Sequence, residues 1–290
     1  MNRSYLFVPA DSERKLAKAR DAGADALILD LEDSVVPAAR PAAREFAAAY
    51  LGEGAECELW VRINPLTTGD AMLDLRAVMP AAPTGIVLPK PFGADDVVRL
   101  AKLLDALEVE HGLPNERTAI MPITTERPAA LFGMHEYAGS SARLRAMTWG
   151  AEDLSAVLGA SEKRAADGSW LPVFELARSL CLLGAAAAEV APVDTVYTDF
   201  RDEDGLAASA GRARRDGFTG MLAIHPSQVP VINTAFTPSA DEVARAKKIV
   251  ALFADHDEAG TLALDGEMID RPHLTLAKRI VALAETAAAR

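Results

Sequence analysis

Apolar residues along this chain fall into short unbroken runs separated by longer stretches with helical spacing. Eight runs qualify as strands buried on both faces: Tyr5–Pro9, Ala26–Asp33, Leu59–Asn64, Gly85–Lys90, Ala119–Glu126, Ala146–Asp153, Thr195–Phe200 and Met221–Pro226. Between them lie helical patterns rich in Ala, Leu, Lys and Arg, among them Glu13–Ala22, Ala94–Glu110 and Val173–Glu189. Strand and helix in alternation predict parallel strands joined by right-handed crossovers. An open doubly wound sheet shares this local grammar, but Pro9-Ala10-Asp11-Ser12 follows the first strand where a dinucleotide fold carries its glycine fingerprint. The pattern therefore predicts an α/β chain folded as a (β/α)8 TIM barrel. After the eighth strand, Ser239 is the expected N-cap of a helix, Thr261–Asp270 reads as a hairpin about an Asp-Gly turn, and a last amphipathic helix follows. Residues 1–230 are thus expected to form the barrel, and residues 231–290 a helical and hairpin lid extension long enough to cover an active site, in its own barrel or a neighbour's.

Composition narrows the picture. At 290 residues, half of them hydrophobic, the chain suits one barrel and a tail. A formal charge of −12 excludes nucleic acid and an anionic membrane as main partners, while a polyanionic small molecule needs only a local basic cluster. The apolar run at the N-terminus is too short for a signal peptide, and Ser179–Val193 is broken by Glu189 and Pro192. Cys57 and Cys181 have neither metal-ligand nor disulfide spacing, so a cytoplasmic protein with reduced thiols is expected.

On a barrel, chemistry gathers at the C-terminal strand ends. Asp30, Glu32 and Asp33 end the second strand, Arg62 and Asn64 the third, Lys90 the fourth; Glu126, Asp153, Asp199 and His225 close the fifth to the eighth. So many charges on one face need compensation, and a hard divalent cation, most simply Mg2+, supplies it. Glu126 and Asp153, on adjacent strands, are the best pair of ligands; the alternative is a salt bridge from either to Arg62 or Lys90. Arg62 forks onto a substrate carboxylate or carbonyl, or else onto Asp30 or Glu32. The acids of the second strand are placed to accept hydrogen bonds from Arg62 or from water on the metal. Arg14, Lys15, Lys18 and Arg20, on the helix after the first strand, form either a phosphate-binding cluster or an ordinary solvated face. His225 reads as a turn residue before Pro226 and receives no catalytic role.

The motifs, taken in order, resemble the citrate lyase β-subunit-like branch of the HpcH/HpaI aldolase superfamily, with its malyl-CoA and citramalyl-CoA lyases. The resemblance runs through Tyr5-Leu6-Phe7-Val8-Pro9-Ala10, Leu29-Asp30-Leu31-Glu32-Asp33, Val61-Arg62-Ile63-Asn64, Leu88-Pro89-Lys90, Trp149-Gly150-Ala151-Glu152-Asp153-Leu154, Ala223-Ile224-His225-Pro226-Ser227-Gln228 and Leu264–Asp270. It implies that Glu126 and Asp153 ligate Mg2+, that Arg62 binds the oxygen of the oxo-acid half, that Lys18 meets the CoA phosphates, and that Asp270 reaches the active site from an adjacent subunit's lid. A homotrimer or homohexamer is implied with it. Two positions depart from the pattern: Arg127 and Pro128 follow Glu126 where relatives often have a small residue and a glycine, and Ser12 stands where some malyl-CoA lyases carry arginine.

The implied activity is Mg2+-dependent, reversible cleavage of a short β-hydroxyacyl-CoA such as malyl-CoA or citramalyl-CoA into an acyl-CoA and an oxo acid, with Arg62 and Asp270 as catalytic groups. Two alternatives stay open. One keeps the site and hydrolyses the thioester, as a malyl-CoA-type thioesterase or malate synthase. The other makes the chain a citrate lyase β subunit whose citryl thioester arrives on an acyl-carrier protein.

Overall fold

The computed structural model describes residues Asn2–Ala288 and divides the chain into two compact units, Asn2–Asn233 and Thr234 onward. The first unit alternates strand and helix as the apolar pattern requires. Its strands are β1 (Ser4–Pro9), β2 (Ala26–Asp30), β3 (Glu58–Arg62), β4 (Gly85–Leu88), β5 (Ala119–Pro122), β6 (Ala146–Thr148), β7 (Ala191–Asp194) and β8 (Gly220–Ala223). Its helices are α1 (Glu13–Arg20), α2 (Arg40–Glu53), α3 (Asp70–Val78), α4 (Ala94–Glu110), α5 (Ala151–Leu158), α6 (Pro172–Ala187), α7 (Glu203–Asp216) and α8 (Gln228–Phe236). A 3₁₀ segment, Pro128–Tyr137, follows β5.

All paired strands of this unit are parallel, in the order β5-β4-β3-β2-β1-β8-β7-β6. The ring closes through bridges Ile120 to Leu144 and Ile123 to Thr148, the Thr124 N–H donating to the Thr148 carbonyl at 2.8 Å. This is the (β/α)8 barrel expected. Side chains alternate along a strand, so one parity faces inward. Tyr5, Ile28, Trp60, Val87, Met121, Val193 and Leu222 fill that interior. Trp60 occupies so much of it that a Cβ on Gly85, its register partner, would lie 2.3 Å from the indole. Bulky and missing side chains on neighbouring strands thus fit together.

Most strands stop two to five residues earlier than their apolar runs suggest. The acids beyond them lie in the loops of the barrel mouth or, for Asp153, in the first turn of α5. One strand is displaced: β7 is Ala191–Asp194 rather than Thr195–Phe200, so Asp194 ends it and Asp199 lies in the following loop. Pro192 reads as a strand breaker, yet here its carbonyl accepts from the Thr219 N–H at 2.9 Å while Ala191 donates to Arg145 at 3.1 Å. The ladder at that point does not need the missing donor.

The second unit holds α9 (Ala240–Asp255), an antiparallel hairpin of β9 (Thr261–Leu264) and β10 (Glu267–Asp270), and α10 (Arg271–Ala288). Ser239 and Glu242 form a reciprocal capping box at the start of α9. Asp265 and Gly266 turn the hairpin with φ of 52° and 84°, both positive as a type I′ turn requires. Ala246, Ile249, Phe253, Ile269, Leu274 and Ala277 make this unit's own core. Among the described residues, no helix is long and apolar enough to cross a membrane.

Candidate active site

The inward parity that fills the barrel also carries polar residues to its C-terminal layer. Asp30 continues the line of Ala26 and Ile28, and Arg62 that of Trp60, and the two are register partners on β2 and β3. Arg62 forks onto Asp30, Nε and Nη2 each 2.6 Å from a carboxylate oxygen. Its Nη1 lies 3.2 Å from Glu32, and its guanidinium sits 4.7 Å from the centre of the Phe7 ring. Burial alone would raise Asp30, but the charge and hydrogen bonds of Arg62 outweigh it and hold the carboxyl below its ordinary range. Arg62 is likewise held well above the ordinary value by Asp30, Glu32 and Glu126 despite its burial, so it is permanently cationic.

Lys90 is the hub that sequence reading treated only as a bland partner. Its ammonium lies 2.5 Å from Glu32, 2.9 Å from Asp33 and 3.3 Å from Asp153. Its backbone N–H donates to the Glu126 carboxylate at 2.5 Å, and its carbonyl accepts from Arg127 Nε at 2.7 Å. These contacts hold Lys90 at φ 49°, a left-handed conformation that disfavours a residue with a Cβ. Strain of this kind persists where surrounding bonds over-determine it. Arg127 also stacks on Phe92, 4.0 Å from the ring centre, so the Arg-Pro departure after Glu126 clamps the Lys90 loop.

Glu126 is a buried carboxyl. It is 3% exposed, and burial together with the neighbouring charge of Asp153 raises it well above the ordinary glutamate value, against the Lys90 N–H and Arg62. Burial also raises Glu32 to about 7, opposed by Arg62 and Lys90. Gly150 lets Glu126 in: a Cβ there would lie 2.9 Å from Glu126 Cγ. The Gly150 N–H donates to Thr125 Oγ1 at 3.1 Å, and Thr124 Oγ1 donates to the Thr148 carbonyl at 3.0 Å, fixing the seam beneath both acids. Glu152 and Asp153 then open α5, where the helix N-terminus favours negative charge.

Asp30, Asp33, Arg62, Glu126 and Asp153 line one cavity of about 350 Å³, with Phe7, Ile123, Trp149 and Leu222 as its apolar wall. The structure thus gathers Asp30, Asp33, Arg62, Glu126 and Asp153 at one cavity, with Glu32 behind them on Arg62 and Lys90. Asn64 lies outside this lining; its amide nitrogen donates to Asp74 and to the Leu31 carbonyl, at 2.8 and 2.9 Å, and so ties the loop after β2 to that after β3. His225 bonds Ser227 Oγ at 2.8 Å within its own turn, in keeping with the turn reading. On α1, Arg20 pairs with Glu53 at 2.6 Å, and Arg14, Lys15 and Lys18 are exposed. Asp270, in the second unit, bonds His273 Nδ1 at 2.6 Å, and that bond keeps its carboxyl below the ordinary value.

Two supporting residues, Asp194 and Arg178, carry no local sequence signal. Trp149 donates its indole N–H to Asp194 at 2.6 Å, and Arg178 of α6 holds Asp194 from the other side at 3.1 Å. Neither thiol competes for a role: burial pushes Cys181 up to about 12 and raises Cys57.

Residues 3–226 match the family described as HpcH/HpaI aldolase/citrate lyase. The chain belongs to that family of enzymes. It is 38% identical over 278 residues to a citrate lyase subunit beta-like protein of Mycobacterium tuberculosis, covering 96% of this chain and 93% of the relative. A (3S)-malyl-CoA thioesterase of Cereibacter sphaeroides is 33% identical over 293 residues, covering 99% and 96%. Among solved structures, the CitE protein of M. tuberculosis in complex with magnesium, acetoacetate and coenzyme A superposes with a TM-score of 0.78 at 36% identity, covering 98% of both chains.

Proposed function

We propose that the chain is a Mg2+-dependent carbon–carbon lyase that reversibly cleaves a short β-hydroxyacyl-CoA, such as malyl-CoA or citramalyl-CoA, into an acyl-CoA and an oxo acid. The observation that carries this reading is the buried Glu126 carboxyl, packed against the like charge of Asp153 in a cavity walled by Arg62. A carboxyl so placed either keeps its proton or meets a cation from outside. Among the described residues, no group of three or more metal-ligating side chains converges. Two carboxylates suit Mg2+, which keeps several waters and takes its remaining oxygens from substrate. The complex of the M. tuberculosis relative with magnesium and coenzyme A supports the same assignment.

Glu126 and Asp153 would hold the ion, which would supply Lewis acidity to the substrate's oxygens. This chain's residues do the rest. Arg62, locked by Asp30, presents a fixed positive charge to the oxo-acid oxygen as the hydroxyl proton passes to solvent and the electron pair of the breaking carbon–carbon bond goes to the acyl-CoA α-carbon. The cleaved acyl-CoA leaves as an enolate that takes a proton at its α-carbon. Asp270 is the proposed proton carrier; the bond from His273 favours its carboxylate, the form that removes this proton in the condensing direction. Lys18 is the proposed contact for CoA phosphates. The apolar wall of Phe7, Ile123 and Trp149 limits water at the enolate. In this reading the second unit is a lid, the working form is a homo-oligomer, and the compartment is the cytoplasm.

The thioesterase relative favours one competing outcome at the same site, hydrolysis of the thioester. Mass-spectrometric analysis of products from malyl-CoA, citramalyl-CoA and citryl-CoA isomers, with Mg2+ and with EDTA, separates the two. An oxo acid plus an acyl-CoA establishes the lyase and names its substrate. Free CoA beside an intact hydroxy acid makes the chain a thioesterase. Turnover of none of these with free CoA, but of a carrier-bound citryl thioester, makes it a citrate lyase β subunit.

A further inference from the structure

A second cavity, of about 300 Å³, lies between the loop after α5 and the helix α7. Its walls carry three arginines, Arg164, Arg178 and Arg212, with Trp170 and Tyr197 beside them. The proposed lyase reaction uses none of these residues. The three cations are not equivalent. Arg178 is held by Asp194 at 3.1 Å and Asp216 at 2.7 Å, and Arg212 leans on Glu175 at 2.8 Å. Arg164 has no carboxylate partner among the described residues. Its guanidinium lies 3.6 Å from the centre of the Trp170 ring and 5.6 Å from that of Tyr197, and it donates to the Gly168 carbonyl at 2.7 Å. Two acids line the cavity: Asp194 is engaged by Arg178 and by the Trp149 indole, and Asp167 is turned back onto its own loop, where Ser169 donates to it from N at 3.0 Å and Oγ at 2.6 Å.

A guanidinium has five N–H donors in a planar fork that matches two oxygens of a carboxylate or phosphate. At Arg164 the Gly168 carbonyl takes one of these donors and the Trp170 ring lies over the guanidinium. Burial, with repulsion from Arg212 and Arg178, lowers Arg164, against the pull of Tyr197 and Asp194. Both effects are relieved by an added anion. We propose that this cavity binds a small, multiply charged oxyanion, a phosphate or a dicarboxylate, gripped by Arg164 and Arg212. Trp170 meets Trp149 edge-on at 5.0 Å, and Trp149 is part of the wall of the Glu126 cavity, so a ligand here has a packed route to the active site.

Trp170 also provides the readout. Full-length protein in EDTA is titrated with inorganic phosphate and, separately, with succinate at constant ionic strength, following indole fluorescence and, in parallel, heat by calorimetry. The expected result is saturable binding of at least one anion, weakened tenfold or more by Arg164→Gln and by Arg212→Gln, and retained in Glu126→Ala, which separates this cavity from the active site. Tighter phosphate points to a phosphoryl ligand, tighter succinate to a carboxylate one. Circular dichroism checks that each variant folds, and Arg212→Gln carries the test if Arg164→Gln does not. Non-saturating responses to both anions, or unchanged affinity in folded arginine variants, overturn the proposal.

Discussion

The backbone N–H of Lys90 donates to the buried carboxylate of Glu126 at 2.5 Å, while the ammonium of the same residue reaches Glu32, Asp33 and Asp153. One residue therefore supports both proposed metal ligands, through main chain for one and side chain for the other. Lys90→Met keeps the N–H and removes the ammonium. The expected loss in EDTA is about 2–3 kcal/mol, because the buried Glu32 loses a charged partner. A smaller loss is expected in saturating Mg2+, whose charge compensates Asp153 directly and offsets the negative field around Glu32. Calorimetric unfolding under the two conditions checks this, and equal losses would count against a cation at Glu126 and Asp153.

Gly150 makes room for Glu126. An alanine there places its Cβ 2.9 Å from Glu126 Cγ and 3.3 Å from Ile123 Cγ2. Gly150→Ala is expected to displace the carboxylate with the fold intact and to lower kcat/KM on the order of 100-fold, the scale of an ångström's misplacement in an active site. Steady-state kinetics with Mg2+ titration by calorimetry would show weakened metal binding beside unchanged circular dichroism.

Inside the barrel, the Gly85–Trp60 pair sets a stability prediction independent of function. Gly85→Ala drives a methyl to 2.3 Å from a fully buried indole. Overpacking of this kind costs about 1–3 kcal/mol. Urea denaturation should show that cost, and Trp60→Phe in the same chain should recover part of it.

Acid sensitivity should come in part from a buried pair remote from the cavity. Arg143 Nη2 lies 2.5 Å from Glu108, which also accepts from the Thr118 N–H at 2.8 Å. Burial would raise Glu108, yet these bonds outweigh it and lower its folded value below the ordinary 4.5. The folded state thus binds this proton less readily than the unfolded chain, and the stability it confers is present above 4.5 and lost as pH falls below that value. Glu108→Gln should flatten that part of the melting-temperature profile and cost about 3 kcal/mol at neutral pH. Melting curves from pH 3 to 7 for both proteins check the sign.

How far the sequence could be read follows from how local each signal is. Period-two alternation carries Asp30 and Arg62 to the interior parity, so their pairing was legible. The N-cap at Ser239 and the Asp265-Gly266 turn are set by residues within a few positions of each other, and the structure has both. Strand seven was misplaced because Pro192 looks like a break until its neighbours in the sheet are known. The apolar run to Asp153 reads as one strand, because nothing local at Gly150 shows that a helix starts there. Lys90's left-handed backbone and its four acidic neighbours depend on the loops after β2 and β5 and on α5 together, and no local pattern announces them. The Arg178–Asp194–Trp149 chain joins three elements in the same nonlocal way.

The most direct test of the central claim is oxo-acid release from malyl-CoA and citramalyl-CoA by wild-type protein, Glu126→Gln and Asp153→Asn, each measured with Mg2+ and with EDTA. The account predicts stoichiometric oxo acid and acyl-CoA from the wild type in Mg2+, none in EDTA, and a loss of about 100-fold or more in each variant, the scale of a misplaced catalytic group. Undiminished release in EDTA, or variants as active as the wild type, would contradict it.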